Sequence, residues 1–243
     1  MRDSIAERLE ALEEKIDSSC RNSGRNRSEV RLLAVTKFHP IEAAAEAWKA
    51  GVRLFGENRV REAKEKYEMF DKIYGGSSLS GGKDNIELHL IGSLQRNKAK
   101  AAVELFDCIQ SVDRDSLIDE LGILTAEREN PLMVLLEYHT GEETKAGFPD
   151  RESLYRAAEK IMSCRGLLPL GLMTMAPFTD DKKRIRSSFR ELAAARNELK
   201  KRFPVKGDWS CLSMGMTNDF EIAIEEGSTL IRIGTAIFGE RRI

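Results

Sequence analysis

The sequence predicts an α/β fold: a single (β/α)8 barrel of the TIM type, with an extra N-terminal helix and no second domain. Three observations carry this expectation. The chain has 243 residues, a length that suits one such barrel. It contains eight short apolar runs without polar alternation, the pattern of strands covered on both faces. Helical periodicity separates the runs, and strands alternating with helices build a parallel sheet. A doubly wound open sheet is the competing arrangement.

Residues 1–21 read as the extra helix. Ile5, Leu9, Leu12 and Ile16 recur at three- and four-residue spacing with charges between them. Asn22, Gly24 and Asn26 then break the pattern. The eight apolar runs are 31–36, 52–55, 86–91, 106–112, 132–138, 167–173, 209–212 and 230–233. Helical segments are expected at 41–50, 58–70, 97–105, 116–128, 153–164 and 185–203. Residues 74–85 are rich in glycine and serine and read as a flexible insertion on the N-terminal face of the barrel. The whole of 1–243 is therefore expected to be one domain.

Formal net charge is −1, which gives no electrostatic drive toward nucleic acid or a membrane. No apolar stretch is long enough to span a bilayer, and the charged N-terminus is unlike a secretory signal. Cys20, Cys108, Cys164 and Cys211 lack metal-ligand spacing, and the chain is too long for a disulfide scaffold. A reduced cytoplasmic protein without a metal is expected. The histidines, at 39, 89 and 139, are scattered. His89 falls within a strand and reads as a hydrogen-bonded core residue.

Barrel proteins build their sites from the loops that follow the strands. Here those loops are crowded with small and polar residues. Lys37 ends the first run; burial there would lower its pKa and free a nucleophilic amine for an aldehyde or carbonyl. A lysine snorkelling from a strand end to solvent is the other reading. The loops after strands seven and eight are the usual phosphate site of this fold. They read Ser213-Met214-Gly215 and Gly234-Thr235, with glycines that admit close approach of backbone N–H groups and hydroxyls that add donors. Arg232 lies within an apolar run and needs an acceptor. It could donate to a pyridine nitrogen, or it could pair with Glu57 or Asp219.

Several longer stretches resemble one known family. These are Leu33-Ala34-Val35-Thr36-Lys37, Phe55-Gly56-Glu57-Asn58, the run from His89 to Lys98, Ser111-Val112-Asp113-Arg114, Gly171-Leu172-Met173-Thr174-Met175, Leu212-Ser213-Met214-Gly215-Met216 and the run from Ile231 to Gly239. In order, from about Leu32 to Arg241, they resemble the pyridoxal phosphate homeostasis proteins (the YggS/PROSC family). The resemblance implies a barrel like the N-terminal domain of alanine racemase, with pyridoxal 5′-phosphate held as an imine on Lys37. It implies that Ser213, Gly234 and Thr235 hold the phosphate, Met214 and Gly215 shape that loop, Arg232 faces the pyridine nitrogen, and Asn58 lines the ring site. Met173 belongs to the same set. Two residues depart from the family pattern: Tyr138 stands where asparagine is usual, and Phe38 where a small polar residue is.

The expected function is a cofactor carrier in vitamin B6 homeostasis, with no catalytic residues. A cationic Arg232 at the ring nitrogen would weaken the electron sink that catalysis needs. A chain ending soon after the eighth strand is expected to lack the domain that supplies a tyrosine in racemases. The alternatives are a pyridoxal-phosphate-dependent racemase or decarboxylase, and a cofactor-free Schiff-base lyase. The expected partners are the cofactor and apo-enzymes that use it, and the expected state is a monomer.

Overall fold

The computed structural model describes residues 4–75, 85–141, 146–204 and 207–240. Eight parallel strands close into a barrel in sequence order, β1 (Arg31–Val35), β2 (Leu54–Glu57), β3 (Glu87–Leu90), β4 (Cys108–Val112), β5 (Leu132–Glu137), β6 (Leu167–Met173), β7 (Cys211–Ser213) and β8 (Leu230–Ile233). The ring closes where β1 pairs with β8, Leu32 opposite Ile231 and Ala34 opposite Ile233. The open-sheet alternative is thereby excluded. Of the expected insertion, residues 76–84 lie outside the described residues.

Helices α1 (Ile5–Asn22), α2 (Ile41–Lys49), α3 (Val60–Tyr74), α4 (Ala99–Leu105), α5 (Asp115–Thr125), α6 (Arg151–Ser163), α7 (Lys182–Arg202), α8 (Phe220–Glu225) and α9 (Thr235–Phe238) surround the sheet. The extra helix α1 starts at a capping box, Ser4 with Glu7, and its buried stripe Leu9, Leu12 and Ile16 is the one its spacing predicts. It packs against α2, α8 and α9. Among the described residues, no helix is long and apolar enough to cross a membrane.

Strand alternation sorts the apolar residues into two compartments. Ala34, Phe55, Leu90, Ile109, Leu136, Leu172 and Ile231 face outward and join the helices in one continuous core. Leu33, Val35, Leu54 and Leu230 face inward and form a small separate cluster. Cys108, Leu135 and Met173 form a second one. Cys211 packs against both inner clusters, and a line of polar side chains also crosses the interior. Arg232 donates from Nη1 to Ser213 Oγ at 2.7 Å. Ser213 donates to Gln110 Oε1 at 2.6 Å, and Gln110 Nε2 meets His89 Nδ1 at 2.7 Å. His89 Nε2 lies 2.8 Å from Glu87 Oε1, whose other oxygen accepts from Arg31. An amide NH2 can only donate, so His89 accepts at Nδ1 and carries its hydrogen on Nε2. Every donor in the relay therefore points from Arg232 toward Glu87. His89 is a hydrogen-bonded interior residue, as its place in a strand predicts.

Candidate cofactor site

The C-terminal mouth of the barrel gathers most of the expected site residues. At the end of β1, Thr36 turns outward and its hydroxyl donates to Glu57 at 2.8 Å. It lies 2.9 Å from the Tyr67 hydroxyl as well. Lys66 on α3 ties this corner together, with Nζ 2.7 Å from the Thr36 carbonyl and 2.7 Å from Glu57 Oε1. Glu57 is fully buried; burial raises its carboxyl pKa, while Lys66 and Thr36 pull it back. Glu57 is thus committed to Lys66, and it is not the partner of Arg232.

With Thr36 outward, alternation gives Lys37 the inward side of the mouth. The half-buried lysine is the second residue of a turn closed by the His39 N–H on the Thr36 carbonyl at 3.1 Å. The third residue of that turn, Phe38, has φ +63°, a left-handed conformation that is strained for a bulky side chain. Its N–H donates to Glu62 at 2.7 Å. Arg59 lies over its exposed ring, 5.3 Å from the centroid. Asn58 follows β2 on the inward row and is half-buried. Its backbone is fixed by Gly92, where an added Cβ would fall 2.3 Å from the Asn58 carbonyl oxygen.

Across the mouth, Arg232 is buried on the inner side of β8. Besides Ser213 Oγ, it donates to the backbone carbonyls of Ser213 at 2.7 Å and Thr174 at 2.8 Å. Burial pushes the guanidinium pKa down, and the carboxylates of Asp219 and Glu137 oppose this. Gly234 continues the inward row and caps α9 without a side-chain hydrogen bond. The first N–H groups of a helix have no partner within it, and α9 begins with Thr235 and Ala236 directly after β8. Gly215 has φ +99°, and a Cβ there would meet the Ala223 methyl at 2.6 Å. At Gly234 an added Cβ would lie 3.3 Å from the Val35 carbonyl oxygen, a tighter approach than most side chains make.

The structure sharpens three of the expected roles. The Ser213 hydroxyl is inside the barrel, engaged by Arg232 and Gln110, so its first duty is to hold the guanidinium. Met214 turns outward into the helix-covered core, which leaves only its backbone for the loop. Met173 is buried inside, clustered with Cys108 and Leu135.

One residue at the mouth escaped sequence reasoning. Glu137 ends β5 on the inward row, nearly buried. Burial first, then the neighbouring Asp113 carboxylate, push its pKa up to about 7, against the pull of Arg232. Attention had fallen on Tyr138, which faces the other way: its hydroxyl donates to Glu191 on α7 at 3.0 Å. Inward–outward alternation counted back from Arg232 and Lys37 on the mouth layer was the signal that could have found Glu137.

A single closed parallel barrel with a lysine just after its first strand, a buried arginine on its last strand and a glycine-led turn beyond it defines the class: a (β/α)8 barrel whose polar residues gather at the C-terminal mouth. Comparison gives the family. Residues 8–242 match the model of the alanine racemase N-terminal domain. A pyridoxal phosphate homeostasis protein of Vibrio cholerae is 38% identical over 98% of this chain and 97% of its own. One of Aquifex aeolicus is 37% identical over 97% and 98%. The chain belongs to the pyridoxal phosphate homeostasis protein family, within the alanine racemase N-terminal domain family. PipY of Synechococcus elongatus PCC7942, solved with PLP bound, superposes with a TM-score of 0.81 at 34% identity, over 97% of this chain and all of that one. The alanine racemase of Clostridium difficile 630 is 12% identical, with a TM-score of 0.73 over 98% of this chain and 57% of that one, a likeness of fold alone.

Proposed function

We propose that this protein binds pyridoxal 5′-phosphate covalently at Lys37 and serves intracellular vitamin B6 homeostasis as a carrier. What supports this reading is the shared end of the barrel: Lys37 follows β1 and the Gly234–Thr235 turn follows the neighbouring β8 at the same C-terminal mouth, where Arg232 is clamped. When bound, pyridoxal phosphate supplies an aldehyde that condenses with an amine. The roles proposed for the chain's own residues are those the family resemblance implies. Lys37 holds the aldehyde carbon, while Gly234, Thr235 and the Gly215 loop receive the phosphate. Asn58 lines the ring, and Arg232 faces the ring nitrogen.

Arg232 is also the reason to read a carrier rather than an enzyme. It is a permanent cation held on three protein acceptors. Placed at the ring nitrogen it opposes protonation there, and with it the electron sink on which amino-acid chemistry depends. The chain's tyrosines give no proton donor at the mouth either. Tyr67 is buried behind Thr36, Tyr74 stacks on Phe70, Tyr138 faces α7 and Tyr155 lies under Arg202. We read the protein as a cytoplasmic monomer that passes its cofactor to apo-enzymes.

The purified protein should be yellow, lose its colour with borohydride and yield a reduced adduct mapped to Lys37 by mass spectrometry. A Lys37→Ala variant that kept the same absorption band would refute the assignment. Glu137 favours one second reading, a racemase or decarboxylase, because a carboxyl titrating near neutrality suits a general acid or base. Turnover of an amino acid that disappears in Glu137→Gln would select it.

A further inference from the structure

We propose that the opposite, N-terminal mouth of the barrel is a second binding site, for a small organic anion carrying a phosphate or carboxylate. A cavity of about 680 Å³ opens there, within the size range of small-molecule sites. Its floor is mostly apolar, made of Leu135, Leu170 and Leu230 with Cys108 and Cys211, and His89 lines it as well. Its rim is basic, with Arg25, Arg31, Arg196 and Lys200, against the carboxylates of Glu29 and Asp208.

The charges on this rim are unevenly spent. Arg25 pairs with Glu29 at 3.2 Å, and Arg31 pairs with Glu87. Asp208 accepts from the Ser210 hydroxyl. Arg196 and Lys200 have no carboxylate within ion-pair distance among the described residues. They stand four residues apart on α7 and line the same cavity, an arrangement of like charges that destabilises a helix. Arg196 donates to the Ser210 carbonyl at 3.0 Å and to Asn197. Burial pushes its pKa down, with Cys211 and Asp208 opposing. Two neighbouring cations, one of them half-buried, above an apolar floor are a receptor for an amphiphilic anion. A guanidinium fork and an ammonium suit a phosphate or carboxylate, and the leucines suit a ring or short chain.

This site does not depend on the function proposed above, and its test is built to keep the two apart. Phenyl phosphate and benzoate, which carry one ring on the two anion types, are titrated calorimetrically at low ionic strength. The protein is used with its C-terminal mouth filled by the borohydride-reduced pyridoxal phosphate adduct, and also without it. One-site binding of either anion to the filled protein is expected, and the stronger of the two identifies the anion type. Lys200→Glu places a carboxylate one helical turn from Arg196, which supports the fold and occupies the anion's place. Binding to that variant should weaken at least tenfold, with the melting temperature unchanged or raised. If neither anion binds saturably, or if Lys200→Glu binds as tightly as the wild type, the proposal is overturned. Should no adduct form at Lys37, the cofactor reading fails, and the Lys200→Glu comparison on unfilled protein still decides this one.

Discussion

Replacing Glu137 by glutamine tests the electrostatics of the cofactor mouth most directly. The carboxyl rises from an ordinary value of 4.5 to about 7 in the folded protein. The folded form therefore keeps a proton that the unfolded chain releases between those values. Stability from this group is whole below about pH 4.5, declines as pH rises, and is fully lost above about 7. At about 1.4 kcal/mol per pH unit, the interval is worth roughly 3 kcal/mol at alkaline pH. Glutamine resembles the protonated acid and never ionises. The variant should match the wild type at pH 4.5 and exceed it by about 3 kcal/mol at pH 8. For a chain of this size that corresponds to a melting temperature higher by roughly 6–12 °C. Scanning calorimetry of both proteins from pH 4.5 to 8.5 measures it. A wild-type-to-variant difference that stays constant across the range would refute the reasoning, because it would show that Glu137 does not titrate in that window.

Three further outcomes are expected. Gln110→Leu cuts the interior relay: the Ser213 hydroxyl proton loses its acceptor and His89 Nδ1 loses its donor. It should cost roughly 2–4 kcal/mol in urea unfolding. Gly92→Ala drives a methyl against the Asn58 backbone and should cost about 1–3 kcal/mol, with weaker retention of the cofactor measured by dialysis. At Glu87, burial raises the carboxyl, but His89 and Arg31 outweigh it and hold it at about 2. The folded form resists protonation, so this contribution is present above pH 4.5 and lost as pH falls toward 2. Glu87→Gln should flatten the acid limb of a melting-temperature profile between pH 5 and 2.5.

Much of the fold was legible in the sequence because burial on both faces leaves a plain mark. All eight apolar runs became strands, and Leu9, Leu12 and Ile16 announced the buried stripe of α1. Boundaries shifted where a strand carries a buried polar residue: β2 begins at Leu54 and extends through Glu57, whose carboxylate, buried between the strand and α3, a hydropathy pattern reads as loop. Lys37, Arg232 and Gly234 could be found because each is unusual in an apolar run or follows one. Gln110, His89 and Ser213 could not be read as one unit. Their link crosses the barrel between β3, β4 and β7, and nothing local to any strand encodes it. The same holds for the pairing of Glu57 with Lys66, which a sequence reading assigned no better than to Arg232.

The relay has a consequence for exchange of the cofactor. Arg232 takes its orientation from Ser213 and Thr174, acceptors that belong to the barrel itself. On the proposed assignment of the ring to Arg232, the guanidinium would already be set by these protein acceptors before the ring arrives. Under the carrier reading, loading and unloading would leave the deep part of the receptor undisturbed, and the freedom lost on binding would fall on Lys37 and its turn. A vessel whose inner wall is rigid and whose rim alone must move can be filled and emptied many times without unlearning its shape.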